Sequence, residues 1–123
     1  MMIVLAILLA LAQASTELSI QPWTGSDLQT TTERAAKYRL KVSGKPKTTL
    51  HLQARGVAQG WLAAFCTPRL CSPQRVELTL PESGASVVQF ELIRESENAP
   101  EQSSATIVSQ DGASVYVPAA SRR

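Results

Sequence analysis

The chain has one histidine, two cysteines and a formal net charge of only +2. Each scarcity removes a class of function. A single imidazole, His51, and two thiols are too few soft ligands for a zinc site. A catalytic His51 would also need a nucleophile and an orienting acid placed by the fold. No serine sits in a G-x-S-x-G elbow, and no carboxylates form a paired pattern. No catalytic residue, metal or cofactor is assigned, and no enzymatic activity is expected. The small charge gives no reason to expect nucleic acid or an anionic membrane surface as partner. Beyond residue 14 no apolar run is long enough to span a bilayer, so no stable membrane span is expected in the mature chain.

What is present begins with MMIVLAILLALAQA, which is uncharged and almost wholly apolar. As a helix, Met1 to Ala12 would cover roughly 18 Å, well short of a hydrocarbon core of about 30 Å. Ala12-Gln13-Ala14 supplies the small-x-small pattern of a signal-peptidase site, so residues 1–14 read as an export signal cleaved before Ser15. The remaining chain of roughly 110 residues is one domain, able to bury about 65% of its unfolded surface. The expected location is exported, either periplasmic or secreted.

Period-two alternation dominates the mature chain, with turn residues every 8 to 12 positions, which predicts about 7–8 strands in an all-β, Ig-like antiparallel β-sandwich over residues 15–118. Glu17 to Trp23 points Leu18 and Ile20 to one side. Leu28 to Ala36 reads as a loop leading into an edge strand. In Lys37 to Ser43, Tyr38, Leu40 and Val42 point inward and Lys37, Arg39 and Lys41 outward. Thr48 to Ala54, a strand opening at Trp61, and Arg75 to Leu80 follow. In Ser86 to Arg94, Val88, Phe90 and Leu92 face the core. Glu95 to Glu101 is a polar loop. Ser103 to Ser109 and Ala113 to Val117 form a hairpin through Gln110-Asp111-Gly112, since Asp-Gly between β-prone runs favours a tight turn. Leu50, Leu52, Val76, Leu78, Ile107 and Val115 complete the expected core, and residues 119–123 are expected to fray as a disordered tail.

Taken in order, Tyr38-Arg-Leu-Lys-Val, a turn, Thr49-Leu-His-Leu, Gly60-Trp61, the Leu80-Pro81 turn, a long strand and Ala99-Pro100 resemble bacterial extracellular Ig-like modules. The resemblance is to the alpha-galactosidase-associated, NPCBM-linked Ig-like repeats, and runs from about Leu18 to Val117. The resemblance implies a non-catalytic spacer or accessory module of secreted proteins. The cysteine pair is an addition to that pattern.

Cys66 and Cys71 are separated by four residues and, in an exported chain, are expected to form a disulfide. The loop they close presents Pro68, Arg69 and Leu70, which suggests a substrate-mimicking inhibitor of a trypsin-like protease as one reading. Trp61 precedes an apolar run and is expected in the core against the disulfide, as in Ig domains. Trp23 reads as core or rim, and His51 as a surface residue beside Thr49 and Gln53. The stripe Lys37, Arg39, Lys41 is either solvated edge-strand protection or a contact for an anionic surface polymer. Val87, Ile93 and Tyr116 are apolar residues on one otherwise polar outer face, which marks that face as a candidate binding surface. The main expectation is a binding or accessory module that contacts an envelope protein or a glycan.

Overall fold

Hydrophobic alternation requires two β layers closed over one interior, and the computed structural model has that form. It describes residues 16–22 and 35–120. The export segment, Ser15, Trp23, most of the Leu28–Ala36 stretch and residues 121–123 lie outside the described residues. Nine strands follow in chain order: β1 (Glu17–Pro22), β2 (Ala35–Ser43), β3 (Thr49–Arg55), β4 (Trp61–Cys66), β5 (Cys71–Pro73), β6 (Arg75–Thr79), β7 (Ala85–Arg94), β8 (Gln102–Ser109) and β9 (Ser114–Ala120). They form a five-stranded sheet, β1-β2-β7-β4-β5, facing a four-stranded sheet, β6-β3-β8-β9. Every pairing is antiparallel. Within them, β1-β2-β7-β4 and β3-β8-β9 repeat the A-B-E-D and C-F-G orders of the Ig fold. β5 is added outside β4, and β6 outside β3.

The buried set is the alternating one. Tyr38, Leu40 and Val42 on β2, Leu50 and Leu52 on β3, Val88, Phe90 and Leu92 on β7, and Ile107 on β8 are all buried. Phe65, Val117 and Leu80 join them with almost no exposure. The Phe65 and Phe90 ring centroids are 5.0 Å apart in a tilted pair. Val76, Leu78 and Val115 only flank the core. Their strands, β6 and β9, lie at the edges of the sheet, where the second layer no longer covers them fully.

Four expectations need correction. β5 is a ninth strand, because the chain after Cys71 turns back and pairs with β4. β2 is interior, flanked by β1 and β7, not an edge strand. Ala35 and Ala36 begin β2, and Ala36 is buried. Ala119 and Ala120 belong to β9, paired to Ser103 and Gln102, and so are no frayed tail.

Polar clasps close the margins. Gln74 carries the chain from the five-stranded to the four-stranded sheet with φ 64°. Its N–H donates to Ala63 O at 2.9 Å, and its carbonyl accepts from Ala54 N–H at 2.9 Å. Tyr38 OH donates across the layers to Pro118 O at 2.5 Å. At one end the buried Arg94 donates to the carbonyls of Ala99 (2.6 Å) and Glu97 (2.9 Å), and Trp61 Nε1 donates to Pro100 O at 2.7 Å. Gly60, with φ 87°, lets that loop approach, since a Cβ there would lie 2.6 Å from Ala99 Cβ. At another margin Asp111 binds Thr16: Thr16 Oγ1 and N–H donate to Oδ2 at 2.6 and 3.1 Å. Ser109 Oγ and Ala113 N–H donate to Oδ1.

Partial burial pushes the Asp111 carboxyl up, but the Ser109, Thr16 and Ala113 donors outweigh it and bring its pKa from 3.8 down to about 2. Asp111→Asn should therefore cost about 1 kcal/mol at neutral pH, reduced by solvent screening at this exposed group. A depressed carboxyl stabilises above its unfolded pKa and loses that contribution as pH falls through the folded one. The gap between variant and wild type in urea melts should accordingly close between about pH 4 and pH 2. Phe90→Ala should cost about 3–5 kcal/mol, read as a lower denaturant midpoint.

Candidate functional site

The cysteine loop is a β-hairpin tip. Cys66 and Cys71 are bonded to each other and stand directly opposite in the β4–β5 ladder. Thr67 N–H donates to Leu70 O at 2.9 Å, and Leu70 N–H donates to Thr67 Oγ1 at 3.3 Å. Pro68, Arg69 and Leu70 form the bend and are exposed, Leu70 to 66%. A protease holds its substrate extended, whereas the Thr67–Leu70 bond folds this segment back on itself. Trp61 is buried as expected but lies at the other end of β4 from the disulfide. Five residues apart on an alternating strand, Trp61 and Cys66 face opposite sides. The Ig pairing of a core tryptophan with a disulfide is therefore absent here; Trp61 binds the Pro100 carbonyl instead.

Val87, Ile93 and Tyr116 are not brought together. Val87, 54% exposed, and the half-buried Ile93 lie near opposite ends of β7 on the outer face of the five-stranded sheet. Tyr116, 61% exposed, is on β9 in the other sheet, and points away from both. Alternation sorts side chains into inside and outside, but the outside of a sandwich is two surfaces.

On the five-stranded face the basic stripe runs down an interior strand, so edge protection does not account for it. Lys37 stands opposite Glu91, and Arg39 lies between Gln21 and Gln89. Lys41 lies between Ser19 and Val87, beside a hollow of about 380 Å³ floored by Ser19, Ser43 and Ala85.

The four-stranded face holds a larger open groove of about 600 Å³. Its lining is built row by row from strand register. Glu77 of β6 opposes His51 of β3, and Arg75 opposes Gln53. Gln53 in turn opposes Val108 of β8. In the next row Arg55, Thr106 and Tyr116 run across β3, β8 and β9. β8 stops pairing with β3 beyond Leu52, and there the Gln110 side chain takes over the ladder. Its Oε1 accepts from His51 N–H at 2.8 Å, and its Nε2 donates to Thr49 O at 3.0 Å. Gln53 Oε1 accepts from both Nε and Nη2 of Arg55 at 3.3 Å, which orients that guanidinium. Sequence reasoning found His51, Gln53 and Tyr116 singly, but missed Arg55, Arg75 and Glu77 as their neighbours. The outward residues of the two adjacent strands carry that signal, and it becomes legible only with the β3–β6 register. Among the described residues, no three His, Cys, Asp or Glu side chains converge as a metal site would require.

No protein-family model matches this chain, and no curated protein is similar to it. Among solved structures, it is similar to a FixG-related protein from Vibrio parahaemolyticus (11% identity, 88% of this chain and 97% of that one, TM-score 0.54). It is more distantly similar to the apo PmoF2 PCuAC domain (17% identity, 85% and 89% covered, TM-score 0.46). A DUF4466 family protein from Parabacteroides merdae follows (7% identity, 85% and 43% covered, TM-score 0.41). At these identities the first likeness is one of fold. None of the three is an NPCBM-linked module, so that resemblance rests on the residues quoted for it.

The disulfide staples an edge hairpin and lies outside the interior. Replacing both Cys66 and Cys71 by Ser should leave the β-sheet circular-dichroism spectrum unchanged and lower stability by about 2 kcal/mol, the chain-entropy value for so small a ring. An unchanged slope in denaturant titration would identify the loss as one of stability alone.

Proposed function

We propose that this chain is an exported, non-catalytic binding module that engages a glycan through the outer face of its four-stranded sheet. The observation that carries the reading is the largely uncovered Tyr116 ring, which shares a cross-strand row with Arg55 and so lies on the same sheet face as a groove lined with amide, guanidinium and imidazole groups. A tyrosine offers a rigid apolar surface with a polar tip, which suits a ligand that is apolar on its ring faces and hydroxylated at its edges. Side-chain amides and guanidinium groups then supply the directional hydrogen bonds that fix orientation. Export is supported by the Cys66–Cys71 disulfide, which persists in oxidising compartments, and by the apolar N-terminal segment. No helix among the described residues is long and apolar enough to cross a membrane. The resemblance to secreted Ig-like accessory modules agrees with this role.

The test is binding of the disulfide-intact protein to an array of envelope and extracellular glycans. Tyr116→Ala should reduce affinity for the captured glycan at least tenfold, a loss of about 1.4 kcal/mol, with thermal unfolding unchanged. Binding that survives Tyr116→Ala but is lost in Val87→Lys would place the contact on the opposite sheet and sink the reading.

A further inference from the structure

Resting on that glycan reading, we propose that the groove is selective for acidic oligosaccharides, with a uronate carboxylate held between Arg75 and Arg55 while a neighbouring sugar ring packs on Tyr116. Three observations converge on it. Arg75 lies directly opposite Gln53, and Arg55 is two residues further along β3 on the same face. The two arginines are therefore a diagonal cross-strand pair, about 7–8 Å apart with their Cβ atoms somewhat closer, a spacing that long side chains bridge to reach a common point.

Among the described residues neither arginine forms an ion pair, although Glu77 lines the same groove. Glu77 is the carboxylate nearest in register, yet it stands opposite His51 and forms no ion pair with either arginine. Arg55 is oriented by the Gln53 amide alone, and the Arg75 side chain has no hydrogen-bond or ion-pair partner among the described residues. Two like charges this close on a sheet without a counterion are mildly unfavourable for folding. An anion seated between them removes that repulsion and accepts paired N–H donors from the planar guanidinium groups, a geometry that matches a carboxylate.

The third observation is distance. Tyr116 lies in the same row as Arg55, two strands away, which at about 4.8 Å per strand puts it roughly 10 Å from Arg55 and roughly 12 Å from an anion seated between β3 and β6. A sugar chain laid across the strands can therefore meet the arginines with one residue and the tyrosine with another nearby. The intervening Thr106 and Val108 are partly buried and keep the floor between them low.

The experiment is calorimetric titration of the disulfide-intact protein with tetramers of galacturonate, mannuronate and glucuronate-containing chains, each paired with its carboxyl-reduced neutral form. At least one acid should bind ten times tighter than its reduced partner. Arg75→Gln and Arg55→Gln should each erase that preference without lowering the melting temperature, and Tyr116→Ala should weaken both forms alike. Equal affinity for acid and neutral forms would overturn the inference while leaving glycan binding intact. Failure of every saccharide to bind would remove both. A preference that persists in Arg75→Gln but vanishes in a Lys37→Gln/Lys41→Gln variant would assign it to the basic stripe of the other sheet, and would equally overturn the inference.

Discussion

The enclosure of Phe90 against Phe65, with neither ring exposed to solvent, is the contact on which the other features of this molecule depend. Phe90 is the middle of the inner row on β7, the strand held between β2 and β4. Full burial of such a side chain contributes roughly 1.5–3 kcal/mol. Because side chains alternate with a period of two, a slip of one residue would expose Phe90 and drive Gln89 or Glu91 into the core. Register is therefore held at the centre of the sheet, and what appears outside follows from it. Lys37 meets Glu91, Arg39 meets Gln89, and Cys66 is placed opposite Gln89 on the solvent side, where it can be joined to Cys71.

The margins are held by a different kind of interaction. Asp111 with Thr16, Tyr38 with Pro118, Gln74 with Ala63 and Ala54, and Arg94 with the Ala99 and Glu97 carbonyls are all polar clasps between segments far apart in the chain or across a loop. A sandwich loses apolar cover at its sides, so backbone groups there would be left without partners unless side chains or corner residues supplied them. Arg94 shows how strongly this can act. Its guanidinium is buried at the end of a hydrophobic strand, where the loop carbonyls replace the water it gives up. With the sides occupied in this way, the open surfaces among the described residues are the two outer sheet faces and the β4–β5 tip.

Much of this was legible from alternation alone. Tyr38, Leu40, Leu50, Leu52, Val88, Phe90, Leu92 and Ile107 were assignable to the interior because each sits two residues from another apolar neighbour. The Asp111-Gly112 turn and the cysteine pair were readable from local chemistry. What escaped was long-range. No local cue says that β2 lies between β1 and β7, since that depends on the return of β7 some fifty residues later. β5 is only Cys71–Pro73, too short to show a period. Arg94 reads as a polar end to a strand until the loop folds over it. Tyr116 could be assigned to the outside but not to a particular sheet, and grouping it with Val87 and Ile93 failed for that reason.

The two outer faces differ in how far folding accounts for them. On the five-stranded sheet, Lys37 is set against Glu91, Arg39 is flanked by amides, and Val87 lies beside the aliphatic stem of Lys41, an ordinary mixed surface. On the four-stranded sheet, two arginines share a diagonal with no carboxylate between them, and an aromatic ring on an edge strand is left mostly uncovered. Neither arrangement contributes to the core, and the first acts slightly against stability. These side chains, which the described residues neither bury nor pair with a carboxylate, are the ones on which the glycan reading proposed above draws.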